Sequence, residues 1–150
     1  VVAVSPPTRF SELNNLFLKN ICERWLKKGH FRQADNFLSL TLSVDNQIIH
    51  PSRCYGLFLK YDGKWANKED IPYFYRDYDQ KSADLLQELD ADYSKIREAI
   101  KIKYPEQNFQ YMLDYLGVER LAYQSENTDI RESFTTSLTL EAIKPPTIQL

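Results

Sequence analysis

Apolar residues in the first part of the chain repeat every four positions, which is typical of an amphipathic helix. The repeat consists of four large residues, Leu13, Phe17, Ile21 and Trp25, and Leu16 and Leu18 widen the stripe. The spacing predicts a helix over residues 10–28 with this stripe facing the core. Ser11 is the expected N-cap, and Gly29 stands where a glycine commonly ends a helix.

The next part of the chain predicts two shorter helices and a turn. Residues 32–44 have apolar positions at helical spacing and predict a helix, although the run FLSLTL also alternates like a strand. Pro51 suits the first position of a helix over 51–60, because the N–H that proline lacks has no partner there. Residues 61–65 contain Asp62-Gly63 and predict a turn.

The longest helical pattern covers residues 80–103. Either Asp77 or Asp79 can cap this helix. Its expected buried face consists of Leu85, Leu86, Leu89, Tyr93, Ile96 and Ile100.

Two more helical segments complete the pattern. One is predicted over residues 108–116, with Gly117 as its stop, and a short one is predicted before Pro145-Pro146. Helices therefore dominate the predicted elements. The pattern predicts a mainly α-helical, single domain over residues 1–150.

Charge and length argue against several classes of partner. The chain has 150 residues, 43% of them hydrophobic and 27% charged, with 19 basic and 21 acidic side chains and a net charge of -2. These charges are mixed without a basic patch, which argues against a nucleic-acid partner. No apolar run approaches the about 20 residues that a membrane span needs, and no signal peptide is visible. We therefore predict a cytoplasmic protein that binds neither nucleic acid nor membrane.

Cysteines, histidines and glycines indicate neither a metal nor a nucleotide site. Cys22 and Cys54 do not make a disulfide framework, and we predict two reduced, buried thiols. Together with His30 and His50 they form no CxxC or HxxxH pair, so we predict no metal site. The four glycines form neither GxGxxG nor a P-loop, so we predict no cofactor-binding residue in this chain.

His50 is the strongest candidate for acid–base chemistry. It follows Ile48 and Ile49 and precedes Pro51, at the point where an apolar run meets a predicted helix start. An imidazole gives and takes protons near neutral pH, but a hydrogen-bonded core histidine fits the same position. Cys54 could pair with His50 as a nucleophile, although a buried thiol is the simpler interpretation.

Two neighbouring features could complete a site. Arg53 follows His50 by three residues and could bind a substrate carboxylate with both arms of its guanidinium. A surface arginine or a salt bridge between helices explains Arg53 equally well. The aromatic segment IPYFYRDYD (71–79) could line a pocket or could pack in the core.

Several motifs, in order, resemble the C-terminal domain of opine dehydrogenases of the octopine dehydrogenase type. They are FLSLTL (37–42), NQIIHPSRCYGLF (46–58), YDGK (61–64), IPYFYRDYD (71–79) and SFTTSLTLEAIKPP (133–146). The family has an apolar-His-Pro element, a glycine-bearing helix, an Asp-Gly turn and a Pro-x-Phe-Tyr segment before a long helix. The likeness covers roughly residues 35–146, and the block from His-Pro to Asp-Gly is its most specific part.

The resemblance implies a helical substrate domain, similar in fold to the C-terminal domain of 6-phosphogluconate dehydrogenases. Such a domain works with an N-terminal Rossmann domain that binds NAD or NADP. The implied reaction condenses an amino acid with a 2-oxo acid and reduces the imine by hydride transfer. The family's catalytic histidine matches His50, which would polarise the keto group and relay protons. Asn46 matches a position that faces the substrate, and Thr135 and Thr136 match the family's Thr-Thr segment; with Arg53, they are the candidates for substrate binding.

The chain departs from the family pattern in two places. It lacks the glycine fingerprint of the cofactor domain, and it ends before the family's Arg-x-x-x-x-Asp element, which assists the histidine and holds a substrate carboxylate. Arg131 lies upstream of the Thr-Thr pair and does not replace this element. Because the chain also begins with Val1 and has Met112 as its only methionine, we expect the middle portion of a longer enzyme, inactive on its own.

Two other functions are consistent with these residues. A stand-alone helical module could bind a protein partner through its aromatic residues and an amphipathic groove. A related 2-hydroxy-acid dehydrogenase domain could use the same histidine. The opine-type enzyme is the leading hypothesis because its motifs occur here in the family's order.

Overall fold

A computed structural model of the chain describes residues 1–27, 30–60 and 65–136. The two strands in this part are β1 (Val2–Ala3) and β2 (Gln33–Ala34), and the α-helices are α1 (Phe10–Leu13), α2 (Lys19–Ile21), α3 (Leu38–Thr41), α4 (Asn46–Lys60), α5 (Gln80–Lys103), α6 (Tyr115–Tyr123) and α7 (Ile130–Thr135). The prediction of a mainly helical chain is confirmed. The likeness to the fold of 6-phosphogluconate dehydrogenases stays a prediction. No helix in the described ranges is long and apolar enough to cross a membrane.

The chain forms two compact units. The first contains Val1–Val44 and Tyr93–Asp114, and the second contains Asp45–Asp92 and Tyr115–Leu150, of which residues after 136 lie outside the described part. Helix α5 contributes its first half to the second unit and its second half to the first unit. The single-domain organisation stays a prediction.

The first unit begins with β1, which pairs in parallel with β2 so that Val2 lies opposite Gln33 and Ala3 opposite Ala34. Between these strands the chain is helical from Pro7 to Leu26, in a run of short pieces: a 3-10 turn (Pro7–Arg9), α1, a π-helical turn (Asn14–Leu18), α2 and a second π-helical turn (Cys22–Leu26). The helix predicted over residues 10–28 is thus present up to Leu26. Lys27 ends it in the left-handed conformation, with φ of 61°. The predicted stop at Gly29 lies outside the described residues.

Two details predicted for this helix are wrong. Ser11 is not the N-cap, because the preceding 3-10 turn leads directly into α1. The expected buried stripe is also only partly correct: Leu18 is buried, but Leu16, Phe17 and Trp25 are 72%, 57% and 82% exposed, and the buried Cys22 lies outside the stripe. A π-helical turn closes hydrogen bonds from i to i+5, so a spacing of four residues does not stay on one face through it.

The helix predicted over residues 32–44 is mostly wrong. Only α3, with four residues, is an α-helix, and β2 occupies the start of the segment. Small polar side chains explain the short helix, because they bind backbone groups in place of a continuing helix. The Asn36 side chain accepts from the backbone N–H of Ser39, and Ser43 Oγ donates to the Tyr111 carbonyl and accepts from the N–H of Leu113.

The same contacts explain why the helix predicted over residues 108–116 is absent. The backbone at residues 111–113 binds Ser43, and the N–H of Gln110 donates to the Asn108 side chain. Helix α6 begins only at Tyr115, and Gly117 lies inside it instead of ending a helix.

Helix α4 begins five residues earlier than predicted. It starts at Asn46 and contains Pro51 in its interior. The prediction that Pro51 starts the helix is therefore wrong. An interior proline removes one backbone hydrogen bond of the helix, and packing against the core must compensate for that loss. Ile48 and Ile49 supply such packing one turn before the proline, since both are buried.

Helix α5 matches its prediction at both ends. Asp79 is the N-cap, because its Oδ1 accepts from the backbone N–H of Ser82 at 2.9 Å. The predicted buried face is correct at Leu86, which is fully buried. It is wrong at Ile96, which is 48% exposed, and Arg97 is buried beside it, where Nη1 donates to the Leu42 carbonyl.

The core of the second unit forms where α4, α5, α6 and α7 contribute large side chains. Its buried members include Ile48, Tyr78, Leu86, Tyr115 and Phe134. Gly56 of α4 lies directly against α5, because a Cβ at this position would overlap Ser82 Oγ. The glycine therefore permits the close approach of α4 to the start of α5.

Candidate functional site

Helix α4 presents His50 to solvent from a segment that is otherwise anchored in the core. Ile48 and Ile49 are buried, and His50 is exposed. A histidine that packs inside the core is therefore not what the structure shows. The backbone of His50 lies within the helix, one residue before Pro51, and not at the helix start that the sequence predicted.

The imidazole of His50 contacts two aromatic residues of the segment before α5. Its Nε2 lies 3.2 Å from the hydroxyl oxygen of Tyr75. Its ring centroid lies 5.5 Å from that of Phe74, with the planes tilted by 58°. These contacts hold one edge of the ring, while the exposed side chain remains open to a reactant. The arrangement suits a general acid or base.

Arg53 organises the segment that carries Tyr75. Its side chain is fully buried, and all three guanidinium nitrogens donate hydrogen bonds. The acceptors are the carbonyl oxygens of Phe74 (2.8 Å), Tyr73 (3.0 Å) and Asp77 (3.0 Å), together with Asp79 Oδ2 (2.8 Å) and Ser82 Oγ (3.4 Å). A guanidinium has five N–H donors, so this set occupies the whole group.

The structure favours the salt-bridge interpretation of Arg53, and its role in substrate binding stays a prediction. His50 and Arg53 are three residues apart on one helix, but His50 is exposed and Arg53 points into the interior. A carboxylate ligand would have to displace acceptors that Arg53 already holds. In this structure Arg53 fixes the backbone of residues 73–77, which in turn fixes the position of Tyr75.

The ion pair between Arg53 and Asp79 has opposing electrostatic contributions. Burial lowers the pKa of Arg53, and the charge of Asp79 opposes this effect. Burial also disfavours ionised Asp79, but the Ser82 N–H, Lys60 and Arg53 together lower its pKa below the ordinary value. Both groups are therefore charged at neutral pH, and the pair couples α4 to the start of α5.

A cluster of buried aromatic residues packs against Tyr75. The centroid of the Phe134 ring, on α7, lies 4.3 Å from that of the Tyr78 ring and 5.6 Å from those of the Tyr75 and Tyr115 rings. The buried hydroxyls have partners: Tyr78 shares a hydrogen bond with Ser52 at 2.9 Å, and Tyr115 with Ser133 at 3.2 Å.

Burial affects the ionisation of this cluster. It raises the pKa of Tyr78 to about 12 and also raises the pKa of Tyr115. The carboxyl of Glu119, which hydrogen-bonds to Tyr115, has a pKa raised by burial and by the charge of Asp45. The two tyrosines are therefore neutral supports at physiological pH.

The other predicted site residues occupy different positions around His50. Asn46 is exposed in the first turn of α4, one helical turn before His50. Thr135 and Thr136 follow Phe134 at the end of α7, and their hydroxyls donate to the carbonyls of Arg131 and Glu132. The Phe134 ring contacts Tyr75, so the Thr-Thr segment joins the site through that ring. The roles of Asn46, Thr135 and Thr136 in substrate binding stay predictions.

Cys54 is exposed, so the prediction that it is buried is wrong, whereas Cys22 is buried as expected. Both thiols are free. Cys54 directly follows Arg53, which points inward, and the helical turn directs the next side chain outward.

The second unit also contains a cavity of about 400 Å³, and Arg53, Asp77 and Asp79 of the hydrogen-bond network contribute to its lining. Lys60, Trp65, Tyr73 and Arg76 are among its lining residues, and His50 is not. The Arg76 guanidinium lies 3.5 Å from the centroid of the Tyr73 ring. The cavity is therefore separate from the imidazole of His50.

The described residues offer no phosphate-binding loop for a nucleotide cofactor. Gly56 is inside α4 against Ser82, and Gly117 is inside α6. Neither lies in a loop before a helix N-terminus, where a pyrophosphate is bound in dinucleotide-binding folds. Gly29 and Gly63 lie outside the described residues. The described residues therefore include no glycine loop of the kind that holds the pyrophosphate of NAD or NADP.

Two features of the site did not follow from the sequence. Tyr75 was only one member of an aromatic segment, and its contact with His50 spans 25 residues. Phe134 belongs to the motif SFTTSLTLEAIKPP (133–146), but the motif alone assigns this residue no place in the site. The available signal was the density of aromatic residues at 73–78, which indicated a pocket or core packing without distinguishing between them.

Comparison with protein families identifies the class of this domain. Residues 33–149 match the model described as NAD/NADP octopine/nopaline dehydrogenase, alpha-helical domain. The chain belongs to this family. No curated protein and no solved structure gives a significant match. The family is NAD- or NADP-dependent, so the chain is part of an oxidoreductase family and supplies its helical domain.

Proposed function

We propose that this chain is the substrate domain of an NAD(P)H-dependent opine-type dehydrogenase, with His50 as its general acid and base. The observation that carries the proposal is an exposed imidazole on an anchored helix, in a chain that matches the helical domain of that family. An imidazole is the side chain best suited to move protons near neutral pH.

The proposed reaction joins an amino acid to a 2-oxo acid. The amine attacks the keto carbon, water leaves, and the resulting imine carbon accepts a hydride while its nitrogen accepts a proton. NADH or NADPH would supply that hydride. His50 polarises the keto oxygen when protonated and accepts a proton during condensation when neutral. Asn46, Thr135 and Thr136 are the proposed contacts to the substrates.

We propose further that a separate nucleotide-binding domain of the Rossmann type holds the cofactor. The matched family model describes an alpha-helical domain of a cofactor-dependent enzyme, and the described residues offer no nucleotide loop. The 150-residue chain alone is accordingly expected to be inactive.

The test is cofactor oxidation by a protein that contains both domains. Oxidation of NADH or NADPH should require an amino acid and a 2-oxo acid together, and mass spectrometry should detect their reduced condensation product. Oxidation with the 2-oxo acid alone, giving a hydroxy acid, would instead support a 2-hydroxy-acid dehydrogenase. The isolated 150-residue chain, assayed in parallel, should give no oxidation above background; turnover by it would contradict the requirement for a second domain.

A further inference from the structure

The hydroxyl of Tyr75 is the one described polar group within hydrogen-bonding distance of the His50 ring, at 3.2 Å from Nε2. We propose that Tyr75 is a positioning residue that holds Nε2 of His50 and leaves Nδ1 to face the substrate. This inference rests on the proposed role of His50 as acid and base, and it assigns each ring nitrogen a task.

Tyr75 is suited to this role because its ring is fixed while its hydroxyl reaches the surface. The centroid of the Tyr75 ring lies 4.9 Å from that of the Phe74 ring, in an edge-on arrangement, and 5.6 Å from that of the Phe134 ring. Phe134 is buried and contacts two further buried tyrosines, Tyr78 and Tyr115. Aromatic packing of this kind restricts ring motion, so the hydroxyl has a defined position.

Hydrogen bonds from Arg53 fix the backbone on both sides of Tyr75. Arg53 donates to the carbonyls of Tyr73 and Phe74 on one side of Tyr75 and to that of Asp77 on the other. Charge-assisted hydrogen bonds from a buried guanidinium are among the stronger ones in proteins. Tyr75 therefore belongs to a preorganised support and not to a loose loop.

Burial, together with nearby acidic groups, keeps the hydroxyl of Tyr75 protonated. Burial raises the pKa of Tyr75, and the neighbouring Asp45 and Tyr123 raise it further. A neutral phenol can both donate and accept a hydrogen bond, so Tyr75 can pair with either protonation state of an imidazole.

The direction of the hydrogen bond follows from the task of His50. A neutral imidazole has one N–H donor and one lone pair. If Tyr75 donated to Nε2, Nδ1 would carry the proton and could not act as a base. If Nε2–H donates to Tyr75, the lone pair is on Nδ1, which has no hydrogen-bond partner among the described residues. Only this second tautomer leaves a base open to the substrate.

A first experiment reads the tautomer directly in the 150-residue chain. Histidine labelled with ¹⁵N gives distinct long-range ¹H–¹⁵N correlations for the two tautomers, and His30, which is exposed, serves as an internal reference. Neutral His50 should show the Nε2–H pattern in the wild type, and in Tyr75→Phe it should become a mixture resembling His30. The proposal is overturned if His50 has the Nδ1–H pattern, or if Tyr75→Phe leaves its pattern unchanged.

Tyr55→Phe is the matched control for this experiment. Tyr55 lies on α4, is 52% exposed and stacks with Phe58, so its loss removes a hydroxyl without touching the His50 ring. Tyr75→Phe keeps the ring that packs on Phe134, and circular dichroism should show the same helical content in both variants.

A second experiment uses the protein with both domains. Tyr75→Phe should lower kcat by about 5- to 10-fold, the size of one lost hydrogen bond, while KM changes by less than about twofold. Tyr55→Phe should match the wild type in both constants. A kcat for Tyr75→Phe equal to that of Tyr55→Phe would overturn the positioning role.

The two proposals fail differently. If His50→Ala abolishes turnover and Tyr75→Phe changes neither kcat nor the tautomer, only the role of Tyr75 is refuted. If His50→Ala leaves turnover unchanged, the acid–base role of His50 is refuted and that of Tyr75 falls with it.

Discussion

Replacing Arg53 by methionine should destabilise the second unit more than any exposed charge substitution. The change keeps an unbranched apolar side chain of comparable length but removes a fully buried guanidinium. Asp79 loses its closest cationic partner, at 2.8 Å, and the carbonyls of Tyr73, Phe74 and Asp77 lose their Arg53 donors.

The magnitude follows from the burial of this network. Removing one partner of a buried ion pair costs about 3 to 5 kcal/mol, because the other charge remains in place without full compensation. Lys60 lies 3.4 Å from the same Asp79 oxygen and is 59% exposed, so it offsets only part of this cost. A domain of ordinary stability unfolds with about 5 to 15 kcal/mol, so the loss is a large share of the total.

Urea denaturation followed by circular dichroism measures the effect, with Arg76→Met as the matched control. Arg76 pairs with Asp77 at 3.5 Å and stacks on Tyr73, but it is 47% exposed. Exposed pairs and cation–π contacts contribute about 1 kcal/mol or less each. Equal free energies of unfolding for Arg53→Met and Arg76→Met would refute the structural role assigned to Arg53.

Two further stability predictions concern the contact between α4 and the start of α5. Gly56→Ala should lower the free energy of unfolding by about 1 to 3 kcal/mol, because the new Cβ meets Ser82 Oγ and, at 3.2 Å, the Ser82 Cα. Alanine has a higher helix propensity than glycine by about 1 kcal/mol, so without a steric conflict Gly56→Ala would stabilise the helix. A variant that is more stable than the wild type in urea denaturation would therefore contradict the close approach of Gly56 to Ser82. The folded state lowers the pKa of Asp79 below its ordinary value of 3.8. The ionised carboxylate therefore stabilises the fold fully above pH 3.8, and this stabilisation is lost as the pH falls through the lowered pKa. The difference in unfolding free energy between wild type and Asp79→Asn should therefore shrink below pH 3.8, and a difference independent of pH would contradict this assignment.

The parts of the fold that the sequence predicted well are those decided by neighbouring residues. Helix α5 has a long apolar repeat, an aspartate that caps its first turn and a proline shortly after its end, and both ends were correct. Pro51 shows the limit of such local rules. Proline is favourable at a helix start, but here the buried residues Ile48 and Ile49 hold the preceding turn in the same helix.

The site depended on contacts that local patterns do not contain. The side chain of Arg53 binds acceptors that lie between 20 and 29 residues further along the chain. Three residues on a helix leave two side chains only about 60° apart, yet Arg53 is buried and His50 is exposed, so the spacing alone does not place both in one site. Tyr75 lies 25 residues from His50, so only the folded chain brings the pair together.

Turnover of His50→Ala in the protein with both domains decides whether His50 is the general acid and base. His30→Ala is the matched control, because it removes the other histidine of this chain. We predict that His50→Ala lowers kcat/KM for the reductive condensation by about 100- to 10,000-fold, the usual loss when a general acid or base is removed, and that His30→Ala retains the wild-type value. Equal activity of the two variants would show that His50 has no acid–base role.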